Sequence, residues 1–245
     1  MRAREELEAI RLAPAASVRP IRIVAAGGGT GLPRLLVGLA PGVEPDGGRP
    51  VDVTALVTTA DDGGSSGELR RAYGVPAPGD VRNCLVALAA GPNPLAAVFQ
   101  HRFDGEGGLA GHTVGNVVLT ALAQRLGDFG RAVAAAAELL GVRGRVLPAS
   151  AEPVELVARL EDGRLLRGET SISGASRRIE EVRLARPVRA PPEAVEAILA
   201  ADLVVLGPGS LYSSVLASLL ARGMASTVAT RGGSKGRYWP CSASA

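Results

Sequence analysis

The apolar positions along the chain fall into two rhythms. In the first half, short β-branched runs alternate with longer amphipathic stretches. IRIVAA (Ile21 to Ala26) and VDVTALV (Val51 to Val57) are near-continuous apolar runs of strand length. Strands buried on both faces of a parallel sheet read this way. After the first run, Leu32, Leu35, Leu36 and Leu39 recur at helical spacing. PAPGDVRNCLVALAA (Pro76 to Ala90) predicts a helix with Asp80 as its N-cap. Further helices are predicted near Pro94 to Arg102, over Thr113 to Leu126, and over GDFGRAVAAAAELLG, which Gly141 ends. The rhythm then shortens. VRGRVLPAS, PVELVARL, LLRGETSI and RRIEEVRLA are strand-like, and EDGR (Glu161 to Arg164) is a hairpin turn signal. They predict a small antiparallel insert over residues 142–186. PPEAVEAILAA reads as a helix with proline in its first turn, feeding the buried strand of DLVVLG. The fold class is α/β: a Rossmann-like, open, mostly parallel sheet carrying that insert.

The pattern also divides the chain. Residues 1–20 are polar and Arg-rich and predict a frayed helical extension, and Pro41 to Pro50 reads as a linker. Residues 21–220 form the Rossmann-like domain. After Leu220 an α/β domain should supply another strand. ASTVATRGGSKGRYWPCSASA offers none, and it holds the only Trp, the only Lys and one of the two Cys. Residues 221–245 are therefore expected to be an atypical or disordered tail, the fold being truncated or frame-shifted at its C-terminus.

Composition narrows the classes. With 245 residues, 47% of them apolar, one large domain can bury a real core. Aromatics are 3%, so Ala, Val and Leu must fill it. The net charge of +3 is dispersed arginine, with no RNA motif or aromatic platform, so no nucleic-acid partner is expected. Cys84 and Cys241 offer neither a disulfide framework nor zinc spacing. Glu5, Glu6 and Glu8 are unlike a signal peptide. No apolar run approaches the roughly 20 residues of a membrane span. These features predict a cytoplasmic protein without a membrane partner.

Candidate chemistry sits in glycine loops at the strand ends, where open α/β sheets build their pockets. GGGTG (Gly27 to Gly31) presents Gly28, Gly29, Thr30 and Gly31. It fails the dinucleotide fingerprint, because a G-x-G-x-x-G register begun at Gly27 meets Leu32, and it lacks a Walker lysine. A tight strand-to-helix turn is the plainer reading. ADDGGSSG supplies Asp61, Asp62, Gly63, Gly64, Ser65 and Ser66. Carboxylates beside hydroxyls suit Mg²⁺, a ribose or a proton. Adjacent residues of an extended chain face opposite ways, so one Asp faces a ligand while the other braces the loop. PGDVRNC places Arg82 and Asn83 in a first helical turn, to pair a phosphate and a base or sugar, or simply to cap. In GHTVGN, His112 is either a general acid–base or structural. Asn116, inside an apolar helix, needs a polar partner. LGPGSLY offers an anion seat at Gly207, Gly209, Ser210 and Tyr212. Together these loops predict a phosphorylated, nucleotide-like ligand.

IVAAGGGTGL, TTADDGGSSGELRR, PAPGDVRNCLVALA, GHTVGN, VRGRVLPAS and ADLVVLGPGSLYSSVL, in that order, resemble the gluconeogenesis-factor family over about Ile21 to Leu220. Its wider superfamily includes 2-phospho-L-lactate transferase. The resemblance implies a bacterial cytosolic, Rossmann-like regulatory protein needed for cell shape and for growth on gluconeogenic carbon sources. It implies binding of a UDP-sugar such as UDP-N-acetylglucosamine by Gly28 to Gly31, Asp61 to Ser66, Arg82, Asn83, Asn116 and Gly207 to Tyr212. A homo-oligomer is compatible with it. The alternative is a transferase-like enzyme that moves a phospho-acyl group from a nucleotide diphosphate carrier, with Asp61 and Asp62 catalytic and Mg²⁺ as a candidate cofactor. A nicotinamide-dependent dehydrogenase is excluded by the failed fingerprint.

Overall fold

The structure, a computed structural model, describes residues 19–39 and 49–233. The expected N-terminal extension (apart from residues 19 and 20), most of the Pro41 to Pro50 linker and the end of the expected tail lie outside these residues. Strand β1 (Ile21–Gly27) leads through helix α1 (Gly31–Leu39) to β2 (Val51–Val57). Five helices follow: α2 (Gly64–Tyr73), α3 (Gly79–Ala87), α4 (Pro94–Gln100), α5 (Val114–Leu126) and α6 (Phe129–Leu139). The chain then returns to the sheet as β3 (Arg145–Pro148). It leaves through β4 (Leu156–Leu160), β5 (Leu165–Arg167), α7 (Glu169–Ser173) and β6 (Ile179–Leu184). Helix α8 (Pro192–Ala200), β7 (Leu203–Leu206), a π-helical turn (Leu211–Leu216), a 3₁₀ turn (Ala217–Leu219) and α9 (Met224–Gly233) complete it. No helix among the described residues is long and apolar enough to cross a membrane.

The main sheet has the order β3-β2-β1-β7, and every pairing in it is parallel. Its strands alternate between two cores, as a period of two requires. Ala25, Val53, Ala55 and Val57 pack against α1, α3, α5 and α6 through Leu36, Leu85, Leu119 and Val133. Val24, Ala26 and Leu56 pack on the other face against Ile198 of α8 and Met224 and Val228 of α9. A second sheet, β5-β4-β6, is antiparallel and has its own apolar cluster around Leu156, Ala158, Ile172 and Ile179.

Two boundaries differ from expectation. The antiparallel sheet begins at Leu156, not at residue 142, because Arg145–Pro148 pairs in parallel with β2 as an edge strand of the main sheet. Residues 224–233, expected to belong to an irregular tail, are helical instead. Met224 is fully buried and Val228 is 6% exposed, on a helix packed in the core. Their i, i+4 spacing puts both on one face, so packing on α8 stabilises a helix that the surrounding Gly, Ser and Thr do not advertise.

Because the main strands are parallel, the loops after β1, β2 and β7 leave from the same carboxyl edge. The chain runs outward from β1 to β2 and β3, then crosses to β7 on the other side of β1. That reversal is the topological switch point where such sheets open a crevice.

Candidate functional site

The first loop is built for close approach. Gly28 is buried, and a Cβ there would collide with the Thr58 methyl and lie 2.6 Å from Asp80 Oδ2. A Cβ on Gly31 would lie 2.6 Å from the Pro208 carbonyl oxygen, so only glycine lets the first and third loops touch. The N–H of Gly29 donates to Asp80 Oδ2 at 2.7 Å. Asp80 is thus no N-cap. It lies inside α3, whose cap position is Pro78 without a side-chain bond, and it ties the start of that helix to the first loop. Burial pushes its carboxyl up to about 6 from 3.8. The Gly29 N–H opposes that rise, Asp61 and Glu169 add to it, and Arg82 opposes it.

In the second loop the two aspartates have different hydrogen-bond partners. Asp62 Oδ1 accepts from the Thr170 N–H at 2.9 Å and its hydroxyl at 2.8 Å, which fastens α7 to the loop. Gly168, at φ +86°, runs so close to the Asp62 carboxylate that any Cβ would overlap it. Asp61 accepts from the Gly63 N–H at 2.9 Å and lines a cavity of about 170 Å³. Glu169, the first residue of α7, enters the same cavity, together with Gly29, Thr58, Asp80, Ser213 and Ser214. One carboxylate oxygen each from Asp61, Asp62 and Glu169 lies within 4.8 Å of the others. Among the described residues no Lys or Arg lines this cavity. Hard oxygen ligands of this kind suit Mg²⁺ or Ca²⁺, and the residues present fit such an ion. A bare phosphate would meet net negative charge here, despite the backbone N–H groups at the edge.

The remaining predicted contacts form a second group. Arg82 is 7% exposed. Its guanidinium donates to Thr113 Oγ1, to Asn116 Oδ1 at 3.1 Å and to Asn83 Oδ1 at 2.7 Å, while Nε has no partner among the described residues. Asn116 Nδ2 donates in turn to Ser65 Oγ at 3.1 Å. Asn83 and Asn116 therefore hold Arg82 with the oxygens that the sequence reading offered to a ligand. Ser66 is buried beneath Gly79. Gly64 starts α2, and Thr30 is exposed on the turn before α1. In the third loop, Ser210 Oγ accepts from the Ser213 N–H at 3.4 Å, and Gly207 and Gly209 flank Pro208. Tyr212 turns away: it packs against the insert and donates to the Ile179 carbonyl at 3.5 Å.

Thr58, Asp80, Glu169, Ser213 and Ser214 were not among the predicted ligand contacts. The first two stand inside the quoted TTADD and PGD motifs, and the serines follow the third loop directly, so their neighbourhood was visible. Glu169 had no such signal. It comes from the insert, and 108 positions separate its neighbour Thr170 from Asp62.

The chain is 46% identical to the gluconeogenesis factor of Halalkalibacterium halodurans over 84% of its own length and 62% of that protein's. It is 46% identical to the gluconeogenesis factor of Bacillus subtilis, over 81% and 61%. A crystal structure of a Bacillus halodurans protein superposes with a TM-score of 0.81 at 44% identity, covering 90% of this chain and 68% of that one. The chain spans about half to just under two thirds of the length of the curated relatives it matches. The model of the family described as 2-phospho-L-lactate transferase CofD matches residues 23–236. With that match over most of its length, the chain belongs to the CofD family, on the side populated by gluconeogenesis factors.

Proposed function

We propose that the chain carries the nucleotide-sugar pocket of a gluconeogenesis factor. In this reading it is a cytoplasmic binding and regulatory protein that links a UDP-sugar, such as UDP-N-acetylglucosamine, to growth on gluconeogenic carbon and to cell shape. The observation that supports it is the carboxylate-lined cavity where three glycine loops meet at the sheet's switch point. Its charge sets the form of the ligand. A diphosphate enters as its Mg²⁺ complex, with the ion held by Asp61, Glu169 and Asp80 or Asp62. The cavity of about 170 Å³ is smaller than the roughly 300–1,000 Å³ that encloses a drug-sized ligand. It takes the metal-bound phosphates, and the uridine and sugar lie along the loops outside it. Isothermal calorimetry with UDP-N-acetylglucosamine, UDP and GDP, in Mg²⁺ and again in EDTA, tests this. Heat that appears only with Mg²⁺ supports the reading. Folded protein giving no heat with any of the three in Mg²⁺ overturns it.

One observation favours a transferase as the second reading. Asp80 carries a carboxyl raised to about 6 in the same cavity, which suits a group that exchanges protons near neutral pH. Release of nucleoside monophosphate from a phospho-acyl nucleotide diphosphate in the presence of an alcohol, followed by ³¹P NMR, separates the readings. Turnover supports the enzyme, and stable binding without release supports the regulator.

A further inference from the structure

A second cavity, of about 360 Å³, opens between α2, α5 and the loop that follows α4. It shares no lining residue with the carboxylate cavity. Leu69, Leu109 and Val117 form apolar wall, and Tyr73 and Leu109 are 51% and 48% exposed beside it. Two large apolar side chains left exposed at one concave site mark a place where something docks. The polar groups on the wall include Glu68 and His112.

His112 ends a chain of hydrogen bonds that starts at Arg82. Arg82 can only donate, so Asn116 must turn Oδ1 toward it, at 3.1 Å. That leaves Asn116 Nδ2 donating to Ser65 Oγ at 3.1 Å. Ser65 accepts there and keeps its own hydrogen available to His112 Nδ1, 3.0 Å away. In the tautomer that takes this hydrogen, the ring proton is on Nε2, the nitrogen facing Glu68 Oε2 at 3.4 Å. At 3.4 Å neither Nε2–H nor the carboxylate is well satisfied by the other. A hydroxyl completes the pair, because it accepts from Nε2–H and donates to Glu68, whereas an ammonium can only donate and an anion can only accept. Among the described residues no Lys or Arg lines the cavity, so Glu68 disfavours an anion there.

We propose that this cavity is a binding site for a small neutral ring compound bearing a hydroxyl, a phenol or cyclic alcohol, held between His112 Nε2–H and the Glu68 carboxylate with its ring on the apolar wall. The site goes beyond the nucleotide-sugar reading and stands whether or not that reading holds.

The test uses the full chain, ¹⁵N-labelled, titrated with 4-ethylphenol, ethylbenzene and 4-ethylbenzoate. 4-Ethylphenol should shift the amides of Leu109, His112 and Val117, with millimolar affinity for so small a probe. Ethylbenzene, which leaves both polar groups unmet, should bind about tenfold more weakly, and 4-ethylbenzoate should not bind. The imidazole ¹⁵N shifts of His112 should show a protonated Nε2. Ala121→Trp, on the exposed wall of α5, should fill the cavity and abolish the shifts while leaving the circular dichroism unchanged. Glu68→Lys should invert the preference toward 4-ethylbenzoate. The proposal is overturned if none of the three probes shifts these amides, if ethylbenzene binds as well as 4-ethylphenol, if Glu68→Lys leaves the preference unchanged, or if the proton sits on Nδ1.

Discussion

Replacing Asp80 by Asn should stabilise the protein, and by more at high pH than at low. The carboxyl is raised from 3.8 to about 6, chiefly by burial, so the folded state holds its proton more tightly than the unfolded chain does. For an acid raised on folding, stability is fully present below the unfolded value and is lost as pH climbs to the folded one. The loss amounts to about 3 kcal/mol by pH 8, from about 2.2 pH units at about 1.36 kcal/mol each. At pH 5 about half of it has already occurred, so roughly 1.4 kcal/mol remains to be lost between pH 5 and pH 8. Asn is uncharged throughout and can still accept from the Gly29 N–H through its carbonyl oxygen. Its amide gains a donor that needs a partner, which costs about 1 kcal/mol at every pH. The pH-dependent difference survives that offset. Urea denaturation of wild type and Asp80→Asn at pH 5 and pH 8, both in EDTA, measures it. The advantage of the Asp80→Asn variant should grow by about 1.4 kcal/mol across the interval, while Mg²⁺-dependent ligand binding falls. A stability difference independent of pH would refute the reasoning, because Asp80 would then be charged in the fold over the whole range.

The two loop aspartates should separate. Asp61→Ala should weaken Mg²⁺-dependent binding tenfold or more by calorimetry with little change in the urea midpoint, whereas Asp62→Ala should lose about 1–2 kcal/mol of stability with its two Thr170 bonds; equal effects on stability would contradict the division of roles. Gly28→Ala should abolish ligand binding, because its Cβ collides with Thr58 and displaces the Asp80 carboxylate, and wild-type heat of binding would show that the loop gives way. Met224→Ala should cost about 2–5 kcal/mol in denaturation, as a fully buried Met does, and a loss below about 0.5 kcal/mol would show that α9 adds nothing to the core.

What the sequence disclosed, and what it withheld, follows from the range of the forces involved. Strands β1 and β2 were legible to within a residue because burial on both faces demands an unbroken apolar run. The convergence of the three loops was legible too, since parallel strands put their carboxyl ends on one edge. Arg145–Pro148 was assigned to the wrong sheet because a short β-branched run looks the same whether its partner runs parallel or antiparallel, and only the crossover decides. Helix α9 was missed because its stability comes from α8 and the sheet rather than from its own residues. At the site, the Asp61–Asp62 pair stood out in the sequence, but Glu169, whose carboxylate joins theirs, arrives from the insert. Polar side chains raised a harder problem. Arg82, Asn83, Asn116 and Ser65 were candidate ligand contacts by their loops and helix ends, and in the structure they hydrogen-bond to one another, with Arg82 Nε left over. A need for hydrogen bonds does not reveal who meets it. Once Arg82 is committed to that network, the cavity keeps its carboxylates and loses its expected cation. An edge that reads as an anion seat from its glycines is lined by carboxylates, which is why the ligand we propose brings its phosphates as a Mg²⁺ complex.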